Sequence, residues 1–190
     1  MLTKRQKKNL VKMLLALALI GVSFLYNQYY VTPEQSAPIP AGSYKVVQIE
    51  DGDTITVVME GNEERVRFIG VDTPETKDPR KPVQCFGQTA TNFTKDLIDQ
   101  NPVRLEAGPE NTNRDRYNRL LRYIYLPDGT LVNAKIIEEG YGFAYTSFPF
   151  SKKQEFKDLE NQARAENRGL WNECQPTKNQ YGVYTSNAQD

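Results

Sequence analysis

The sequence predicts a small five-stranded Greek-key barrel of the OB type with helices added after its leading strands, an α+β fold. Three observations carry this. Short runs rich in Val, Ile, Thr and Phe follow one another at 44–49, 54–59 and 65–71, separated by the hairpin signals Asp51-Gly52 and Gly61-Asn62. Two more strand-like runs, 103–106 and 120–126, come later, the second closed by Pro127-Asp128-Gly129. Helical spacing interrupts the strands only after that meander, and no internal repeat is apparent.

Ahead of the barrel lie Lys4, Arg5, Lys7, Lys8 and Lys12, then the apolar run 13–26 (MLLALALIGVSFLY). A basic segment before an apolar run reads as a secretory signal or a membrane anchor, with residues 27–31 extending it towards a span over 13–31. Residues 1–30 are thus expected to be a signal or anchor. The basic end should stay in the cytoplasm and the rest should be extracytoplasmic, anchored if uncleaved and secreted if cleaved. Residues 31–42 (VTPEQSAPIPAG) read as a Pro-rich tether. Within the folded unit, 43–174, Phe86, Ala90, Phe93 and Leu97 fall at helical spacing over 86–98. A second helix is expected at 131–139, stopped by Gly140, and a third at 152–167. Residues 175–190 are polar and aperiodic, and read as a loose tail.

The chain has 190 residues, enough for one ordinary domain with extensions, and no histidine. An imidazole base, a Ser/His or Cys/His pair and a His-ligated zinc are therefore excluded. Two cysteines cannot form a four-cysteine metal site. Catalysis must run on carboxylates, arginine, lysine, tyrosine or an oxygen-bound metal. The net charge is zero, but the basic N-terminus hides an acidic remainder with about five more acids than bases, so any polyanion site must be local.

Asp53, Asp72 and Glu75 fall near strand ends. Each segment alone reads first as a turn or loop start; if they converge, three carboxylates need a cation, and all-oxygen ligation favours calcium over zinc or copper. Arg67 sits between Val66 and Phe68 inside a strand, where a charge is expensive unless paired or functional. Arg114, Arg116, Arg119 and Arg122 cluster with Tyr117 around the last strand, either as a solvated edge or as part of a phosphate clamp. Two guanidiniums facing an acid-held cation suit phosphoryl oxygens, which their planar forks meet bidentately.

From 46 to 174 the chain resembles the thermonuclease family, the staphylococcal nuclease-like proteins. The matching residues are Asp51-Gly52-Asp53-Thr54, Arg67-Phe68-Ile69-Gly70-Val71-Asp72-Thr73-Pro74-Glu75-Thr76, Asp115-Arg116-Tyr117-Asn118-Arg119-Leu120, Tyr123-Ile124-Tyr125, Asp128-Gly129-Thr130-Leu131-Val132-Asn133 and Gly169-Leu170-Trp171. The resemblance implies an OB-type barrel and a calcium-dependent phosphodiesterase. It would cut DNA and RNA at the bond to the 5′ oxygen and leave 3′-phosphate ends. By position, Asp53, Asp72 and the Thr73 carbonyl would hold calcium, and Glu75 would act on the attacking water. Arg67 and Arg119 would grip the phosphate, while Arg116, Tyr117 and Tyr145 would line the substrate site.

The chain departs from the family in three ways. Asn118 stands where the family often has Gly, but Asn tolerates positive φ next best. Thr146-Ser147-Phe148 follows Tyr145 where a second tyrosine is common. The acidic remainder weakens the expectation of tight non-specific binding. An inactive nuclease-fold module binding nucleic acid or protein is the competing reading, but such copies typically lose the arginines or the glutamate, and all are present. An aspartyl phosphatase built on Asp51-Gly52-Asp53 needs a βαβ setting that the meander does not provide. Outside the membrane Cys85 and Cys174 are expected to pair, two free thiols being the alternative. A monomer is expected.

Overall fold

A computed structural model describes residues 4–30, 42–76, 82–180 and 182–188. The chain divides into two units, residues 1–38 and 39–190. In the first, helix α1 runs over Lys4–Tyr30. No helix among the described residues is long and apolar enough to cross a membrane, so the span expected over 13–31 is not supported. The reason is arithmetic: at 1.5 Å per residue the apolar run 13–26 covers about 21 Å of a core of about 30 Å. The tether at 31–42 falls almost entirely outside the described residues.

In the second unit the strands close in the order β1 (Ser43–Asp51), β2 (Thr54–Met59), β3 (Asn62–Phe68), β6 (Leu120–Tyr125), β5 (Val103–Glu106) and back to β1. Closure removes both sheet edges. The meander pairs as expected, with Thr54 opposite Arg67 and Met59 opposite Asn62. That register makes Glu60 and Gly61 the central turn residues, both at positive φ, one position earlier than the expected Gly61-Asn62. β3 and β6 run parallel, joined through Val66, Arg67 and Phe68, and β1 completes the barrel against β5. The core holds Ile55, Val57, Val66, Phe68, Tyr123 and Ile124, covered by the helices.

Helices α2 (Gly87–Ile98), α3 (Val132–Glu138) and α4 (Lys153–Ala165) match the three expected from spacing, each one to three residues shorter. Gly140, at φ +73°, stops α3 as expected. Two short strands went unread in the sequence: β4 (Val71–Asp72) and β7 (Phe143–Ala144) pair antiparallel beside the barrel. Residues 175–188 are not a loose tail. After α5 (Leu170–Glu173), β8 (Thr177–Lys178) and β9 (Tyr184–Thr185) form a hairpin. Each strand is two residues long, too short for an apolar periodicity, which is why it had no sequence signature.

Candidate active site

Carboxylates reach one cleft from three places in the chain. Asp51 and Asp53 come from the β1–β2 turn, Asp72 from β4, and Glu75 from the segment after it. With Arg67, Thr73, Pro74, Gln84 and Thr185 they line a cavity of about 90 Å³. Gly52 lets the turn approach, because a Cβ there would lie 2.7 Å from Thr73 Cγ2. Thr94 of α2 fixes the same turn by donating to the Gly52 carbonyl at 2.7 Å.

Asp53 is buried and held by three hydrogen bonds. Its carboxylate accepts from Thr54 Oγ1 at 2.9 Å, from the Thr73 N–H at 2.9 Å and from Arg67 Nη1. The other nitrogen of Arg67 donates to Asp72 Oδ1 at 2.8 Å and to the Val71 carbonyl at 3.0 Å. Burial alone would lower the Arg67 pKa, but Asp53, Asp72 and Asp51 outweigh it and raise it, so the guanidinium stays charged. Burial first, and Asp53 second, push the Asp51 carboxyl up to about 7. The Glu75 N–H donates to Gln84 Oε1 at 2.7 Å, and its carboxylate accepts from the Thr76 N–H at 2.9 Å.

Arg119 is presented by a turn built on Asp115. The Asp115 carboxylate accepts from the Tyr117 N–H at 2.9 Å, the Arg119 N–H at 3.0 Å and Arg119 Nε at 2.8 Å. Asn118 adopts φ +66° within it, the conformation expected of the family's glycine. Arg119 Nη1 reaches Thr54 Oγ1 at 3.4 Å, and Thr54 in turn holds Asp53, so a short polar chain links Arg119 to the cleft. Arg116 and Tyr117 are exposed on the same turn, with the Arg116 guanidinium 4.7 Å from the Tyr117 ring centre. Tyr145 follows β7, and its ring meets Phe148 at 5.8 Å. Arg114 and Arg122 serve the scaffold, paired with Glu64 at 2.8 Å and with Asn113 at 2.6 Å.

The expected nest of three acids needs correcting. Among the described residues no three acids gather closely enough to hold a metal ion, because Asp53 and Asp72 both turn to Arg67, the nearest cation. In kind, the donors still fit a hard cation. They are all oxygen, four acids face one arginine, and Asp53 uses three of its roughly four lone-pair positions.

A family model described as staphylococcal nuclease homologue matches residues 65–173. The chain belongs to the staphylococcal nuclease family. The thermonuclease of Staphylococcus intermedius is 42% identical to it over 129 residues, 67% of this chain and 75% of that one. The thermonuclease of Staphylococcus hyicus is 34% identical over 172 residues, 88% of this chain and 98% of its own. Endonuclease YncB of Bacillus subtilis is 34% identical over 153 residues, 76% and 72% of the two chains.

Four residues of this staphylococcal nuclease family site escaped the sequence reading. Asp51 passed for a turn former, and only its two-residue distance from Asp53 hinted otherwise. Asp115 carried a signal, its i,i+4 spacing to Arg119. Gln84 and Thr185 carried none. The Cys85–Cys174 disulfide forms as expected, with Cα atoms 5.8 Å apart.

Proposed function

We propose that this chain is a calcium-dependent phosphodiesterase that hydrolyses DNA and RNA at the bond to the 5′ oxygen and leaves 3′-phosphate ends. Its class, a nuclease hydrolase, follows from the family and from relatives named thermonuclease and endonuclease. The observation that carries the chemistry is Arg67, charged and held between Asp53 and Asp72 in a cleft that Glu75 also lines. That supports reading Arg67 as a cation for the phosphate and Glu75 as the carboxylate that takes a proton.

Calcium held by Asp53, Asp72 and Thr73 would supply positive charge against the phosphodiester. Arg67 and Arg119 pair with the non-bridging oxygens, and their hydrogen bonds strengthen as phosphorus becomes five-coordinate. Glu75 accepts a proton from water as the water oxygen bonds to phosphorus. The bond from phosphorus to the 5′ oxygen breaks, and that oxygen leaves with a proton from solvent. Tyr117, Arg116 and Tyr145 receive the neighbouring nucleotides, the exposed Tyr117 ring offering a stacking surface.

We further place the enzyme outside the cytoplasm, acting as a monomer. The basic-then-apolar N-terminus supports this location, as does the disulfide, which reducing cytosol does not keep. Cleavage of plasmid DNA and of RNA by the purified chain, with calcium and with excess chelator, tests the activity. Cleavage that stops in chelator is expected. Full cleavage in chelator overturns the calcium requirement, and no cleavage in either condition overturns the nuclease reading. Degradation of added DNA by intact cells tests the location.

A further inference from the structure

Beyond the family match, which ends at residue 173, the chain returns to the active site. Residues 184–188 lie along Gln84 and Cys85 as a strap. The Cys85 N–H donates to the Asn187 carbonyl at 2.8 Å, Ser186 Oγ donates to the Cys85 carbonyl at 2.8 Å, and Gln84 bridges to Ala188. Asn187 Nδ2 reaches back to the carbonyls of Cys174 at 3.4 Å and Gln175 at 3.2 Å. The disulfide joins Cys85 to Cys174, so both places where the strap is fastened are covalently linked. Ser186 is buried, and the Tyr184 ring stands edge-on to Trp171 at 4.9 Å.

The strap meets the cleft through one side chain in particular. Gln84 Oε1 accepts from the Glu75 N–H at 2.7 Å, while Gln84 Nε2 donates to the Ser186 carbonyl at 3.1 Å and to Thr185 Oγ1 at 3.4 Å. The Gln84 N–H also donates to the Glu75 carbonyl at 2.9 Å. Glu75 and Gln84 thus exchange two hydrogen bonds, and the far face of the same carboxamide is held by the C-terminus. Of the common side chains only an amide of this length offers an acceptor on one side and donors on the other. A segment serving stability alone would have no need of this span across to the glutamate.

We propose that Gln84 is a positioning residue that acts through Glu75, held in place by the C-terminal strap 184–188. The inference rests on the reading of Glu75 as the group that takes the proton from water. Gln84 touches no reacting atom; it sets the backbone from which the Glu75 carboxylate is aimed. Displacing a catalytic group by about 1 Å costs on the order of 10²-fold, so loss of the carboxamide should lower turnover by roughly 10- to 100-fold.

The test is a double-mutant cycle in the full chain, Gln84→Leu with Glu75→Gln, read as kcat and KM on DNA with calcium present. Gln84→Leu should lower kcat by roughly 10-fold or more and leave KM within about twofold, and in the Glu75→Gln background it should have almost no further effect. Amide exchange gives a readout independent of activity: the Glu75 N–H, deprived of its acceptor, should exchange at least ~10-fold faster in Gln84→Leu. Wild-type kcat in Gln84→Leu, multiplicative effects in the cycle, or unchanged exchange at Glu75 overturns the proposal. Wild-type turnover in Glu75→Gln would instead overturn the role given to Glu75, and the positioning role with it. Should Gln84→Leu fail to fold, Gln84→Glu runs the same cycle. It keeps an acceptor for the Glu75 N–H and loses both donors to the strap. Reduced turnover that vanishes in the Glu75→Gln background is then expected, and an independent effect overturns the proposal.

Discussion

Replacing Asp115 by asparagine separates two things that this carboxylate does. One oxygen accepts the backbone N–H groups of Tyr117 and Arg119 and shapes the turn; the other meets the Arg119 guanidinium at 2.7 Å from Nη2 and 2.8 Å from Nε. Asparagine can keep the first pair, but its amide nitrogen sets donor against donor at the second. The two side chains are 18% and 17% exposed, so the pair lies between a surface ion pair and a buried one. A loss of about 1 to 2 kcal/mol follows, or roughly 3 to 6 °C in thermal midpoint for a domain of this size. Turnover should fall about 10²-fold as Arg119 loses its aim, and no further than in Arg119→Ala.

The pH dependence of that loss has a definite sign. Burial by itself would raise the Asp115 pKa, but hydrogen bonds from Arg119 and Tyr117 and the Arg119 charge outweigh it and hold the carboxyl below its ordinary 3.8. The folded state therefore binds this proton less readily than the unfolded one. The stabilisation is complete above about 3.8 and is lost as pH falls through the folded pKa. Midpoints of wild type and Asp115→Asn should be well separated at pH 6 and converge in strong acid. A constant gap, or wild-type turnover in Asp115→Asn, would refute the reasoning.

Reducing the Cys85–Cys174 bond, which spans 89 residues, should cost roughly 4 to 5 kcal/mol in the chain-entropy model. The thermal midpoint should then drop by about 10 °C or more, and an unchanged midpoint after complete reduction would contradict this. Gly52→Ala drives a Cβ to 2.7 Å from Thr73 Cγ2; it should cost about 1 to 3 kcal/mol in urea unfolding and lower turnover by shifting Thr73 off Asp53. Glu160 is raised above 4.5 by burial, against the opposing pull of the Ala144 N–H and Arg164, so wild-type stability falls as pH climbs from 4.5 through its folded pKa. Glu160→Gln should lack that fall and gain on wild type between pH 4 and pH 7, and a shrinking difference would count against it.

The barrel strands were legible because each is short, apolar and bounded by turn residues, and the helices because their apolar faces repeat at the right spacing. Closure was less legible: the parallel contact of Val66 with Leu120 joins residues far apart in sequence, and no local pattern records it. Asp53, Asp72 and Glu75 near strand ends, Arg67 inside a strand and Arg119 in the arginine cluster were legible as candidates, and their roles came from the resemblance. Asp51 was hidden by its own usefulness. Its Oδ1 accepts the Asp53 N–H at 3.1 Å, the bond that makes Asp-Gly a turn signal, and that ordinary role concealed a fourth carboxylate in the cleft. Gln84 and Thr185 lie 101 residues apart and carry no motif, so only the folded chain brings them together.

Charge explains why so few residues must do the binding. With its basic N-terminus set aside the chain is acidic, and most arginines near the barrel are already spoken for. Arg65 faces Glu50 at 3.0 Å, Arg104 faces Glu106 at 2.9 Å and Arg114 faces Glu64 at 2.8 Å. Arg67 is committed inside the cleft and Arg119 to Asp115. Arg116 makes no ion pair among the described residues and lies over the Tyr117 ring, so one cation and one exposed aromatic face meet at the tip of the Asp115 turn. On the proposed reading, nucleic acid would be gripped close to the bond that breaks, not along a broad basic surface. A site of that kind would draw little affinity from counterion release and, on the proposed roles, depend on how accurately Arg119, Arg67 and Glu75 are aimed. The hydrogen bonds that Arg119 donates to Asp115, that Arg67 donates to Asp53 and Asp72, and that Glu75 exchanges with Gln84 would matter to the chemistry for that reason.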